Sequence, residues 1–208
     1  MNVNPVNPAN PSKVSRKAEQ SEATRTALVQ VALDLFAQRG YAGVPTEEIV
    51  RAAGVTRGAL YHHFKDKRDL FGAVVERVEQ QVMERVAIAA SQEADPWEQQ
   101  RVAIGAYLDV CLEPAVQRIV LVDAPSVLGL AAWREIEARY GLALVRAGIE
   151  NVMQAGLIER QPVEPLSHLM LGALTEGGLL IARSEDRQAA RAEVGESLDR
   201  LLRGLRVR

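Results

Sequence analysis

From position 28 to position 205 the apolar residues of this chain recur at three- and four-residue spacing. No run alternates every second residue, and no hairpin dipeptide sits in a suitable context. That periodicity leaves an all-α fold. Leu28, Val31, Ala32, Leu35 and Phe36 form the first stripe, in a predicted helix over 25–39 that Gly40 ends. Pro45, in a first helical position, opens a short second helix over 45–53, stopped by Gly54. Thr56 caps a third over 56–64, and Asp66 a fourth over 66–91 striped by Leu70, Val74, Val78 and Val82. Further helices are predicted over 95–112, from Pro114 onward with a bend at Pro125 and Gly129, and over 130–155, 165–183 and 186–206.

With 208 residues, 48% of them apolar, the chain can bury a sizeable core. No apolar stretch reaches the roughly 18 residues of a membrane span, and no apolar leader precedes the first helix. One cysteine, Cys111, and three histidines exclude an internal disulfide and a structural zinc site, so a cytoplasmic protein without metal or cofactor is expected. Residues 1–20, rich in Asn and Pro at the start, are expected to be a disordered arm. The overall charge of −2 hides an asymmetry. Residues 1–72 hold ten Lys/Arg against seven Asp/Glu, and residues 73–208 hold fifteen against twenty. A small basic module precedes a larger acidic one, and local charge governs phosphate binding.

The stretch from Gly54 to Phe71 carries most of the functional information. Val55, Leu60 and Phe64 share one face, while Thr56, Arg57, Gly58, Tyr61 and His62 fall largely on the other. A short helix that presents Thr, Arg, Tyr and His beside a glycine suits the major groove of DNA. Lys65, Lys67 and Arg68 follow, together with the amide groups at the start of the fourth helix. From Ala53 to Leu70 the sequence resembles the helix-turn-helix of the tetracycline-repressor (TetR) family, whose pattern is Ala-Gly-Val-Ser/Thr-x-Gly-x-Leu-Tyr-x-His-Phe-x-x-Lys-x-x-Leu. The stretch Phe36 to Tyr41 resembles the same family's first-helix ending. Pro45 stands where the family usually has Ser or Thr, and Val50 replaces the usual Ala.

The resemblance implies a helix-turn-helix DNA-binding domain over 21–71 and a helical ligand-binding and dimerisation domain over 72–208. It implies a homodimeric regulator of transcription, a repressor released from double-stranded operator DNA by a small molecule. DNA contacts are then expected from Thr46, Thr56, Arg57, Gly58, Tyr61, His62, His63, Lys65 and Lys67. Polar-tipped or sulfur-bearing residues on otherwise apolar helices mark an effector pocket: Tyr107, Cys111, Asp123, Trp133, Met153 and His168. The effector is expected to be largely apolar, neutral or weakly cationic. The apolar arc of Leu166, Met170, Ala173, Leu174, Gly177 and Ile181, with Leu198 and Leu202, is the expected dimer interface. The rival reading is a DNA-binding or architectural protein without an effector. No Ser/His/Asp set, metal spacing or phosphate loop points to an enzyme.

Overall fold

The computed structural model describes residues 11–207, with side chains from residue 18 onward. Among the described residues, ten α-helices and one π-helical segment run in the order α1 (Pro11–Arg39), α2 (Thr46–Ala52), α3 (Arg57–His63), α4 (Lys67–Ala90), α5 (Pro96–Val110), α6 (Pro114–Val116), the π segment (Gln117–Asp123), α7 (Ala124–Leu128), α8 (Leu130–Gln154), α9 (Val163–Arg183) and α10 (Arg187–Gly204). The described residues contain no strand beyond one isolated bridge, Ile158 with Arg206. The predicted fold class and helix order are borne out.

Two boundaries differ from expectation. The N-terminal arm is helical from Pro11, because Pro suits a first turn and helix formers such as Ala18, Glu19 and Gln20 extend α1 upstream of its apolar stripe. Residues 1–10 of that arm lie outside the described residues. Pro45 is the N-cap of α2 and not its first residue, and supplies no side-chain hydrogen bond.

The first three helices close over Leu28, Phe36, Ile49 and Leu60, all fully buried. Phe71 of α4 seals them, edge-on to Phe36 (centroids 5.3 Å apart) and to Tyr41 (5.0 Å). α4 then runs on between α1, α5 and α8, so one rigid rod belongs to both halves of the molecule. The bend foreseen at Pro125 takes the form of the π segment. Pro125 has no N–H and its ring crowds the carbonyl four residues back, and the helix relaxes into a wider register in which the Ala124 amide donates to the Ile119 carbonyl. Gly129, at φ +81°, then turns the chain into α8.

α9 alone among the described helices is long and apolar enough to cross a membrane by length and composition. Its Leu166, Leu174 and Ile181 are buried against the chain's own neighbouring helices. Most of the residues expected at an association surface are buried within one chain. Leu166, Leu174, Gly177, Ile181, Leu198 and Leu202 belong to the core within one chain, and Met170 and Ala173 are half-buried. A Cβ at Gly177 would meet Val194 at 2.7 Å, so that glycine serves α9–α10 packing. The large apolar residues that α9 and α10 do expose are Leu169 (71%), Leu180 (52%) and Leu201 (60%).

Candidate nucleic-acid interface and ligand cavity

α3 is set by two anchors and a cap. Leu60 and Phe64 are buried, and the Thr56 hydroxyl accepts the Ala59 N–H at 3.1 Å. Gly54, at φ +66°, makes the turn from α2. With the apolar side pinned, Thr56, Arg57, Gly58, Tyr61 and His62 are exposed and His63 is half-buried. Arg57 lies 3.4 Å from Glu47 and over the Tyr61 ring at 5.6 Å, both loose contacts at a solvated surface. A Cβ at Gly58 would meet nothing nearer than the Thr56 hydroxyl at 3.9 Å. The fold therefore does not need that glycine, which costs an α-helix about 1 kcal/mol relative to alanine. Thr46 is half-buried at the start of α2, and Lys65 is exposed beside α3.

The start of α4 is more occupied than expected. Asp66 caps it by accepting the Asp69 N–H at 2.8 Å, and the Asp69 carboxylate accepts the Lys65 N–H at 2.9 Å. Lys67 donates to the Tyr41 carbonyl at 2.5 Å and sits 4.1 Å from the Tyr41 ring centroid, and burial lowers its pKa. It is half-buried and braces the Tyr41 turn. Arg68 reaches the other way, donating to the carbonyls of Val127 (2.9 Å) and Leu128 (2.7 Å) on α7. From the opposite side, Asp123 at the end of the π segment accepts the Tyr41 N–H at 2.7 Å. Gly40 is needed here twice over: its φ is +72°, and a Cβ would lie 3.2 Å from the Asp123 carboxylate. These contacts join the first three helices to the π bend.

A second site lies inside the bundle. An apolar cavity of about 150 Å³ is lined by residues of α4, α5, α8, α9 and α10, among them Met83, Val86, Tyr107, Leu144, Met170 and Leu174. One helical turn beyond its wall, four helices place polar groups in the core: Glu79 (α4), Cys111 (after α5), Glu137 (α8) and Thr175 (α9), all buried. Burial and the neighbouring Glu137 push the Glu79 carboxyl up to about 8. Burial also raises Glu137, with Thr175 and the Arg134 guanidinium at 3.3 Å opposing. The Cys111 thiol, hydrogen-bonded to Tyr107, is pushed up to about 12 by burial and is unreactive.

Comparison with known proteins decides between bundles of this kind. The profile described as "Tetracyclin repressor-like, C-terminal domain" matches residues 97–205, and that described as "Bacterial regulatory proteins, tetR family" matches residues 28–74. The crystal structure of a TetR-family transcriptional regulator from Pectobacterium atrosepticum shares 38% identity over 91% of this chain and 97% of that one, with a TM-score of 0.83.

The chain belongs to the tetracycline-repressor family.

The HTH-type transcriptional regulator AcrR of Shigella flexneri is 48% identical over 65 residues, 31% of this chain and 30% of that protein. The structure of RolR in complex with resorcinol, 19% identical, superposes with a TM-score of 0.70 over 90% of this chain and 95% of that one, a likeness of fold. As a TetR-family member the chain is a DNA-binding regulator of transcription, and α2, the turn and α3 are its helix-turn-helix.

Within that frame, the structure scatters the expected effector residues. Tyr107 alone lines the cavity. Cys111 packs beside it in the core, and Trp133 is buried 1% exposed, its indole N–H without a partner among the described residues. Met153 packs half-buried at the core edge, and Asp123 holds the joint to Tyr41. His168 is exposed, 3.3 Å from Glu164. Sequence reasoning looked for polar tips, whereas this wall is built from Met83, Leu144 and Met170, indistinguishable in sequence from ordinary core. Glu79 and Glu137 were also missed, although a signal existed. Glu79 falls in the register of Phe71, Val75, Val82 and Val86, and Glu137 in that of Trp133, Gly141 and Leu144: acids within apolar stripes.

Proposed function

We propose that this regulator is a homodimeric repressor that leaves its operator when a small, largely apolar molecule fills the cavity between α4, α5, α8, α9 and α10. The observation that carries this reading is the cavity itself. Apolar space of about 150 Å³ is the size that accepts a single benzene-like ring, and RolR is described with resorcinol, a one-ring compound. Empty space in an otherwise close-packed bundle costs stability. A regulator with no effector gains nothing from it, which weighs against the effector-independent rival.

The geometry supplies a route. Met83 in the cavity wall and Arg68 at the joint lie on the same helix, about 22 Å apart at 1.5 Å per residue. A filled cavity displaces α4, and α4 carries the head. Release requires the effector to favour the arrangement in which the two α3 helices are misplaced for successive major grooves. In the DNA-bound arrangement Arg57, Gly58, Tyr61 and His62 face base edges or nearby phosphates, with Thr46, Thr56, His63 and Lys65 beside the backbone. The dimer forms through the exposed Leu169, Leu180 and Leu201 of α9 and α10, and the protein works in the cytoplasm, where its operator is. The division into a DNA-binding part over 21–71 and an effector and dimerisation part over 72–208 follows the same assignment.

The test has two stages. Sedimentation should give about twice the 22.7 kDa chain mass, and Leu169→Glu or Leu201→Glu should reduce both dimer and operator affinity without unfolding the chain. A screen of one- and two-ring compounds by thermal shift, followed by release of DNA from the intergenic region beside the gene, should then yield effectors. Compounds that stabilise the protein yet never release DNA would overturn effector control.

A further inference from the structure

The cavity has two unlike ends. α4, α5 and α8 each line it over two helical turns, from Met83 to Ala90, from Gln100 to Tyr107 and from Gly141 to Gly148, so it is about 10 Å long. No Asp, Glu, Lys, Arg or His lines it among the described residues. Its polar side chains are Gln99, Gln100, Tyr107 and Asn151, and three of them are accounted for. The Gln99 amide donates to the Glu93 carbonyl at 2.8 Å, the Tyr107 hydroxyl is hydrogen-bonded to Cys111, and Asn151 is exposed to water. Gln100 is half-buried, and its carboxamide makes no hydrogen bond among the described residues. It lies instead against bare backbone. A Cβ on Gly148 would overlap the Gln100 amide nitrogen and lie 2.7 Å from its Cδ and 3.1 Å from its Oε1. Gly148 falls inside the 25-residue α8, where glycine weakens the helix relative to alanine. Packing has a simpler solution, Ala at 148 beneath a shorter side chain at 100. Two local rules are broken together, and the carboxamide left without a partner is the group that Gly148 admits.

We infer that Gln100, seated on Gly148, reads an uncharged hydroxyl on the effector, so that the effector is a small neutral ring compound with its ring toward Met83 and Leu174 and its hydroxyl toward the Gln100 end. This rests on the effector reading above and specifies its chemistry. A carboxamide offers an acceptor oxygen and N–H donors, and a hydroxyl both donates and accepts. A carboxylate or an ammonium finds no counter-charge in the lining, and burying an unpaired charge is prohibitive. A plain hydrocarbon ring fills the space and leaves the carboxamide without a partner. Gly148 fixes where the polar group is read, because any side chain there would drive the carboxamide off its seat. The Gln100 end is also the one farther from the Arg68 joint, so the ring and not the hydroxyl faces the stretch of α4 that leads to the head.

The experiment is titration calorimetry of the full chain with phenol and with toluene, a ring of similar size that cannot hydrogen-bond, near pH 7 where phenol is uncharged. A purely apolar cavity takes toluene and rejects phenol, whose hydroxyl would leave water without a partner. Here phenol should bind at least about fivefold more tightly, as one net hydrogen bond requires. Gln100→Leu should reverse that order, weakening phenol at least about tenfold and leaving toluene as tight as before or tighter. Gly148→Ala should also abolish the phenol preference in a folded chain, since the Cβ dislodges the carboxamide while alanine favours the helix. If a variant does not fold, the wild-type order decides alone. Toluene binding as tightly as phenol or more so, binding of neither probe, or a phenol preference kept by either folded variant overturns the assignment. Operator release by toluene with no phenol preference overturns this inference and leaves the effector reading standing. A phenol preference without operator release sustains the Gln100 contact and overturns that reading.

Discussion

The head and the body of this regulator treat buried polarity in opposite ways. In the first three helices and the start of α4 the buried side chains are hydrocarbon or aromatic, and the hydroxyl and carboxylates near them are spent on caps: Thr56 for α3 and Asp66 for α4. The body buries Glu79, Glu137, Gln117, Ser167 and Thr175, leaves the Gln117 and Trp133 N–H groups without a partner among the described residues, keeps a π segment and holds an apolar cavity. A surface that must match DNA by its shape needs one arrangement. Under the proposed effector control the core needs a second arrangement close in free energy, and incomplete packing and unsatisfied groups keep the gap small.

The sharpest test of that contrast truncates one side chain in each half. Phe71→Ala should cost about 3–5 kcal/mol, because the Phe36 and Tyr41 rings lose their common neighbour in a core without existing empty volume. Met83→Ala, beside existing empty volume, should cost roughly 2 kcal/mol, the low end of such changes. Denaturant midpoints at constant slope would report both, and equal losses would erase the distinction.

Next in size is the pH dependence of the body. The Glu79 pKa lies near 8 in the folded chain against an ordinary 4.5. The native state therefore binds the extra proton between those values, and stability falls as pH rises through that window. Glu79→Gln should remove that slope and stabilise the protein at pH 8.5 by on the order of 1–4 kcal/mol, at about 1.4 kcal/mol per pKa unit, with little change at pH 4.5. Thermal midpoints across pH check it; a wild type whose stability rises from pH 5 to 8 in parallel with the variant contradicts the assignment.

Arg57→Ala should weaken operator binding by ~1–3 kcal/mol per half-site and relax sequence preference, if the guanidinium reads a base. Competition between operator and random DNA measures this. The smallest effect is expected of the exposed Lys65. Its truncation should weaken all sequences alike and flatten the salt dependence by about one unit for each phosphate it had neutralised.

The head was nearly complete in the sequence. Gly54, Thr56, Leu60, Tyr61 and Phe64 each have a local job, in a turn, a cap, an anchor or a face, and local jobs leave local signatures. What escaped there was long-range: that Lys67 would be tied to Tyr41 depends on a turn twenty-six residues away. In the body the helices were legible and their facing was not. The arc on α9 is apolar nearly all round, so periodicity could not tell the side that packs on α8 and α10 from the side bearing Leu169 and Leu180. The cavity left no trace, because absence of volume is a property of five helices together.

The joint between head and body is written in a reciprocal grammar. Arg68, from the head, grips two main-chain carbonyls of the body, and Asp123, from the body, grips a main-chain amide of the head. Each side contributes one side chain and reads only backbone on the other, with Gly40 leaving room. Such a coupling ignores the identity of almost every residue it connects. The exposed face of α3 and the lining of the cavity can therefore change without renegotiating the connection. A chimaera that keeps Gly40, Arg68 and Asp123 in place should transmit a foreign inducer's signal to a foreign operator.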